Sequence, residues 1–253
     1  MKIVVIGGSG RAGAHIVRHL GAKGHEAVGA SRATGVDAVT GEGLADVLAD
    51  ADAVVDATNA SVWDDDAVRE YFTTSTRTIL AAEREAGVGH HLALTIVGAD
   101  RVPDSGYMRA KVAQEAEIEA GAVPYTILRA TQFFEFLGMI AEAGADGDGV
   151  RLSTGLIQPV AADEVGATMA DLAVGAPVGG RVELGGPEAL PIDAWARRIF
   201  AATGDDRAVV SDRHASYFGT ELEGGELTPG DGARIGATRF DAWLAAQPHG
   251  AAR

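Results

Sequence analysis

The chain contains no cysteine. That absence rules out disulfides, thiolate nucleophiles and Cys-ligated metals, and it is compatible with a reducing compartment. Long apolar runs are also missing: no uninterrupted stretch approaches the roughly 20 residues that a bilayer-spanning helix needs. The apolar part of the opening MKIVVIGG is shorter than the hydrophobic region of a signal peptide, so a cytoplasmic protein is expected. No low-complexity tract and no solenoid-like repeat occurs. Positive charge is scarce: 21 Lys and Arg stand against 36 Asp and Glu, for a formal charge of −15. Such a surface repels nucleic acid and anionic membranes, which are excluded as partners, and an anionic ligand needs a local basic pocket. Lysine is scarcest of all, with only Lys2, Lys23 and Lys111 beside 18 arginines.

The 253 residues, 47% hydrophobic and 23% charged, have an ordinary globular balance and are long enough to bury a large α/β core. Disorder is expected only in the closing GAAR. Strand-length apolar runs alternate with helix-period segments almost to residue 185. KIVVIG precedes a helix from about Arg11 to Ala22, and EAVGAS, GVDAV and ADAVVDAT supply three further strands around a short helix, GLADVLAD. A helix from about Asp66 to Ala86 leads into HHLALTIVG, and one from about Tyr107 to Ala120 leads into PYTILRA. Then come a helix through Phe133 to Ala143, the strand GLIQPV, a late strand RVELGG, a helix PIDAWARRIFAATG and a possible strand RAVVSD. GADGDG reads as a flexible junction near residue 144, and HASYFGTELEGGELTPGDGAR as loop or lid. This alternation predicts an α/β fold with a doubly wound parallel sheet, and unalternated runs such as IVVI predict strands buried on both faces.

Gly7, Gly10 and Gly13 stand at G-x-x-G-x-x-G spacing, after a buried strand and at the opening of a helix. Glycine there permits a tight turn and lets backbone approach a pyrophosphate, while the helix N-terminus offers free N–H groups and partial positive charge. The whole segment Gly7, Gly8, Ser9, Gly10, Arg11, Ala12, Gly13 is therefore the candidate nucleotide grip. An acid at the end of the second strand would bind the ribose 2′-hydroxyl of NAD and repel the 2′-phosphate of NADP. This strand ends in Ala30, Ser31 and Arg32, and Arg11 adds a second cation, so NADP(H) is favoured over NAD(H). Glu26 lies at the wrong end of the strand. Asp37, expected beside the adenine, and Thr58 with Asn59, expected near the central ribose, sit at strand ends on the ligand-binding edge. Asp37 and Asn59 equally fit a strand-end turn and an Asx motif.

Tyr107 and Lys111 are four residues apart and share a helical face. An ammonium beside a phenol favours the phenolate, which makes Tyr107 a candidate proton donor to a carbonyl or acceptor from an alcohol. Random placement would produce a Tyr-x-x-x-Lys in this composition about one time in twenty. Thr95, 12 positions earlier at the end of HHLALTIVG, is the best hydroxyl to complete the group, although strand-end threonines are also ordinary β-branched filling. Ser105 is a weaker candidate.

Together, GGSGRAG, DATN, LTIVGADRV, YMRAK and YTILRATQFFEF resemble the atypical short-chain dehydrogenase/reductases, specifically their NmrA-like, NAD(P)H-binding group, over roughly residues 1 to 200. The resemblance implies a Rossmann-type sheet of order 3-2-1-4-5-6 and a nicotinamide cofactor along the strand C-termini. It implies a single domain over 1–253 in which about 145–253 forms a small C-terminal elaboration shaping the substrate pocket. It places the family tyrosine and lysine on Tyr107 and Lys111, with Lys111 also on the nicotinamide ribose, and the family serine on Thr95. The helix asparagine of many relatives falls near Thr78, so the proton relay is incomplete. Arg129, Ala130, Thr131, Gln132 and Phe133 match the segment beside the nicotinamide, with Phe133 packing on the ring or simply closing a strand-to-helix junction.

The leading expectation is an NADP-dependent oxidoreductase acting on a carbonyl or alcohol of a small molecule. The alternatives are an NmrA-like redox sensor that binds NAD(P) and a protein partner without turnover, and an isomerase or cyclase using the same tyrosine. His90 and His91 have no further ligand at metal spacing, so no metal site is expected and a surface or capping role is. Asp64, Asp65 and Asp66 are expected to cap the following helix. Trp63, Tyr217 and Phe218 are candidate pocket walls.

Overall fold

The computed structural model describes residues 1–247, and the closing GAAR lies outside the described residues. In chain order the elements begin with β1 (Lys2–Ile6), α1 (Arg11–Ala22), β2 (Glu26–Ala30), α2 (Leu44–Leu48), β3 (Ala53–Asp56), α3 (Asp65–Ala86), β4 (His90–Ile96) and α4 (Gly106–Ala120). There follow β5 (Tyr125–Ala130), α5 (Leu137–Glu142), β6 (Ala145–Asp146), β7 (Gly149–Leu152), β8 (Leu156–Ile157) and α6 (Ala162–Ala173). The last are β9 (Gly180–Gly185), β10 (Leu190–Pro191), α7 (Ile192–Thr203), β11 (Ala208–Ser211), β12 (Arg234–Ile235) and α8 (Phe240–Ala245).

Seven strands form one parallel sheet in the order β2-β1-β3-β4-β5-β9-β12. Ile6 of β1 lies opposite Ala30 on one side and Asp56 on the other, so the chain direction of growth reverses at β1. In open parallel sheets, such a reversal marks the end of the strands outside which ligands bind. The expected α/β sheet is thus present, with two differences at its edges. β9 and β12 lengthen one edge, while GLIQPV supplies only β8, which pairs with β10 apart from this sheet, and the other edge lacks GVDAV. GVDAV forms no strand, because Gly35, Gly41 and Gly43 all take left-handed φ values near +80, +82 and +71 and the Asp37 carboxylate closes a turn between them.

Two compact units are discernible. The first comprises Met1–Ile96, Gly106–Arg129 and Ala162–Val182. In it Val4, Ile6 and Val54 bury one sheet face under Leu44, Leu48 and Ile79. Alternation along β1 turns Ile3 and Val5 to the other face, where α1 packs on α6. Asp64 starts α3 as expected, its Oδ1 accepting the Ala67 amide at 3.0 Å, and Asp65 and Asp66 occupy the first turn. Gly87, at φ +72, ends it.

The second unit comprises Val97–Ser105, Ala130–Ala161 and the chain from Glu183 onward. GADGDG folds here into the hairpin of β6 and β7, and β7 pairs in parallel with β11, the RAVVSD strand. Its core is aromatic: Trp195 lies 5.4 Å from Phe240 and 6.2 Å from Phe134, ring centre to ring centre. α7 starts after Pro191 and stops at Gly204, as its sequence predicts. No helix among the described residues is long and apolar enough to cross a membrane. Because Trp195 is fully enclosed, Trp195→Ala is expected to lower unfolding stability by about 3–5 kcal/mol, read as a shift of the urea midpoint.

Candidate active site

The glycine turn is built by close approach. Gly7 takes φ +81, and the amides of Gly7 and Gly8 donate to the Ala30 carbonyl at 2.8 and 3.1 Å, pinning the turn to the end of β2. A Cβ on Gly13 would stand 2.1 Å from the Gly7 carbonyl oxygen, so only glycine lets α1 sit this near the turn. Ala12 and Gly13 are buried against the sheet, whereas Ser9, Gly10 and Arg11 face solvent. No side chain caps α1 and no acid occupies its first turn, which leaves the positive end of the helix to an outside anion.

At the end of β2, the Ser31 hydroxyl is shielded from solvent and caps the Thr34 amide, and its own hydrogen has no acceptor among the described residues. Its amide donates to the Thr34 hydroxyl at 2.9 Å, fixing a short turn on which Arg32 is exposed. An orphaned donor beside an exposed guanidinium fits a phosphate. Asp37 closes the turn that its sequence also fits, its Oδ1 accepting the amides of Val39 and Thr40 at 2.7 and 3.1 Å.

β3 ends in Asp56, which is fully buried and accepts the Thr58 amide at 2.9 Å. The following residue, Asn59, presents its Oδ1 to both the Ala60 amide and the Tyr107 hydroxyl, each at 3.1 Å. Tyr107 packs edge-on against Phe72, 5.9 Å between centroids, and 6.3 Å from the exposed Trp63. Tyr107 and Asn59 therefore meet at the sheet edge that carries the glycine turn.

Lys111 is buried. Its Nζ donates to Gln114 Oε1 at 2.9 Å and to the Leu94 carbonyl at 3.4 Å, and it lies 3.9 Å over the Phe72 ring. Gln114 in turn donates to Asp56 Oδ2 at 3.0 Å, so an amide links the ammonium to the buried carboxylate. Burial brings the Lys111 ammonium down to about 8, with Asp56 and Glu115 opposing the shift.

Thr95 is placed differently from the expectation. Its hydroxyl donates to Glu115 Oε1 at 2.7 Å, so the hydrogen expected to reach a substrate oxygen is committed inside the protein. Glu115 also accepts Arg129 Nε at 2.9 Å and Nη2 at 2.6 Å, and Arg181 Nε at 2.9 Å. Burial alone would raise the Glu115 carboxyl, but Arg129, Thr95 and Arg181 outweigh it and hold the group below the usual carboxylate range. Arg129, read from the sequence as part of a nicotinamide-lining segment, is a buried counter-ion instead.

Other expectations meet the structure as follows. His90 and His91 are buried, not at the surface: His91 Nδ1 lies 2.8 Å from Glu83 Oε1 and His90 Nε2 lies 2.9 Å from the Thr126 hydroxyl. No group of three potential ligands able to hold a metal occurs among the described residues. Phe133 belongs to the second unit, where its ring stacks on Phe136 at 5.4 Å. Tyr217 and Phe218 meet there at 4.9 Å, and burial pushes the Tyr217 phenol up to about 12. Gln114 and Glu115 went unnoticed in the sequence, although they follow Lys111 at the i+3 and i+4 positions that share its helical face.

No family model matches the chain, and no curated protein sequence matches it. Solved structures do. A dTDP-4-dehydrorhamnose reductase from Clostridium acetobutylicum is 16% identical with a TM-score of 0.73, over 97% of this chain and 98% of that one. A dTDP-glucose 4,6-dehydratase from Streptomyces venezuelae, bound to NAD, is 20% identical with a TM-score of 0.74, over 97% and 95%. An NADPH-dependent quinone oxidoreductase from Escherichia coli is 18% identical with a TM-score of 0.65, over 83% and 77%. The chain shares the fold of these structures.

A depressed lysine leaves a pH signature in stability. Between about 8 and its ordinary value of 10.5, Lys111 is deprotonated in the native state but still protonated in the unfolded one, so stability rises with pH through that window and is flat below it. Thermal unfolding followed from pH 7 to 10 is expected to show this upward slope, and Lys111→Met to remove it.

Proposed function

We propose that the protein is an NADP-dependent oxidoreductase of the short-chain dehydrogenase type, transferring a hydride between nicotinamide and a carbonyl or alcohol of a small molecule. The observation that carries this reading is the position of Tyr107. Its hydroxyl reaches Asn59, just beyond β3, at the same sheet edge as the uncapped, glycine-built end of α1. A proton-transfer phenol and a phosphate grip on one edge are what hydride transfer to a carbonyl requires.

In this reading Gly7, Gly8, Ser9, Gly10, Arg11, Ala12 and Gly13 hold the pyrophosphate through backbone amides. Ser31 and Arg32, with Arg11, take the 2′-phosphate, which is why NADP(H) is preferred. Thr58 and Asn59 stand near the central ribose, and Lys111 near the nicotinamide ribose. A bound dinucleotide supplies the hydride. Tyr107 supplies or accepts the proton at its Oη, and the Lys111 ammonium steadies the phenolate that forms. Thr95 acts only at a distance, fixing Glu115 on the inner face of α4. Neighbours of this fold bind either NAD or NADPH, so the preference rests on Arg11, Ser31 and Arg32.

Turnover is tested by following nicotinamide absorbance with NADPH over a panel of small carbonyl compounds. Tyr107→Phe is expected to lower kcat by about 10²- to 10⁴-fold while leaving NADPH affinity intact. Full turnover by that variant would show that the proton comes from elsewhere, and tight NADPH binding with no hydride transfer by the unaltered protein would favour the sensor reading. Replacing Arg32 by Glu is expected to shift the ratio of NADPH to NADH affinity toward NADH by at least about tenfold, measured by calorimetric titration of both cofactors.

A further inference from the structure

We infer that Asn59 is a positioning residue that holds Tyr107 in its protonated form until a substrate oxygen replaces Asn59 as acceptor, so that the site favours reduction of a carbonyl over oxidation of an alcohol. The inference rests on the assignment of Tyr107 as the proton-transfer group. Its basis is the pair of contacts at one atom. Asn59 Oδ1 faces the Ala60 amide at 3.1 Å and the Tyr107 hydroxyl at 3.1 Å. A backbone N–H can only donate, so the side-chain atom it meets is the carbonyl oxygen and not the amide nitrogen. That oxygen can only accept. The phenol is therefore the donor, and the contact exists only while Tyr107 carries its proton. A phenolate in the same place would face a second acceptor, and hydrogen bonding that selects the neutral form of a group works against its ionisation.

The charged groups around the phenol leave this bias in place. On its own helix, Lys111 lies with Nζ 6.0 Å from the Tyr107 ring centre, but its donors are directed at Gln114 and the Leu94 carbonyl. Arg109 on the same helix pairs at 2.6 Å with Asp65, at the start of α3. From α3 and the loop after β3, the rings of Phe72 and Trp63 stand beside the phenol. Behind Lys111 stands Asp56, reached through Gln114.

The direction of reaction follows. Reduction would draw a hydride from a bound dihydronicotinamide to the carbonyl carbon; as the C=O π pair moves to oxygen, that oxygen would take the Tyr107 proton. The phenol O–H bond breaks, its electron pair stays on Tyr107 as phenolate, and the nicotinamide is oxidised. Water then reprotonates the phenolate, restoring the bond to Asn59. Oxidation of an alcohol must begin from the phenolate facing the Asn59 carbonyl, which is the unfavourable state.

The test titrates the whole protein while phenolate absorbance is followed in the near ultraviolet. Subtracting Tyr107→Phe from the unaltered chain isolates Tyr107. Asn59→Ala is expected to lower its midpoint by about one pH unit, and the nearly isosteric Asn59→Asp to raise it by at least as much. With NADPH or NADP⁺ and an interconverting carbonyl and alcohol, Asn59→Ala is expected to shift the ratio of reductive to oxidative kcat by about tenfold toward oxidation. Circular dichroism verifies folding, and Asn59→Asp carries the titration should the alanine variant not fold. Midpoints unmoved by either substitution, or moved in the same direction by both, overturn the inference even if Tyr107→Phe abolishes turnover. Midpoints that move as expected without any hydride transfer uphold the Asn59 contact and overturn instead the assignment of Tyr107 as the group that serves chemistry.

Discussion

α4 carries an ammonium, an amide and a carboxylate into the interior of the first unit, and each of them is enclosed: Lys111, Gln114 and Glu115 are all buried. Burying such groups without partners would cost more than a small unit has in total stability. Each is therefore answered by a different element. Glu115 is met by Arg129 from β5, Thr95 from β4 and Arg181 from β9, and Gln114 by Asp56 from β3. Lys111 is met by Gln114, the Leu94 carbonyl of β4 and the face of Phe72 from α3. Satisfying this one helix fixes its register against the strands, and the register in turn decides where Tyr107, one turn before Lys111, emerges at the sheet edge.

The same polar interior divides the reactive residues into two layers. The inner layer, Glu115 with Arg129 and Thr95, is saturated and holds shape. The outer layer is less settled chemically: a lysine brought down to about 8 by burial and a phenol whose proton is directed at an asparagine. A proton-transfer group needs such a neighbourhood, because its two protonation states must lie close enough in free energy to exchange during turnover. On a chain of charge −15, the uncapped end of α1 and the exposed Arg11 and Arg32 are local exceptions to the negative surface.

Much of this was legible in the residues. The alternation of strands and helices, the caps at Asp64, Pro191 and Gly204, and the glycine turn all depend on neighbours within a few positions, and the structure places them where such local rules require. GVDAV failed for an equally local reason, three left-handed glycines around an Asx turn, that apolar patterning does not register. α4 was recognisable as a helix but not as a buried one, since its inward face breaks the apolar stripe from which burial is read. His90 and His91 misled likewise: paired with Thr126 and Glu83 they are interior residues, though nothing in HHLALTIVG announces the partners.

By itself, then, the sequence determined the type of fold, the glycine turn and the tyrosine and lysine on one helical face, because each is written in spacing along the chain. Tertiary structure alone decided which hydroxyl is available and which proton points where. It turned Thr95 inward to Glu115, tethered Lys111 through Gln114 to Asp56, and brought Asn59 to Tyr107 across 48 positions. Those outcomes depend on hydrogen-bond partners that come together only when separate strands and helices are packed, and spacing carries no record of them.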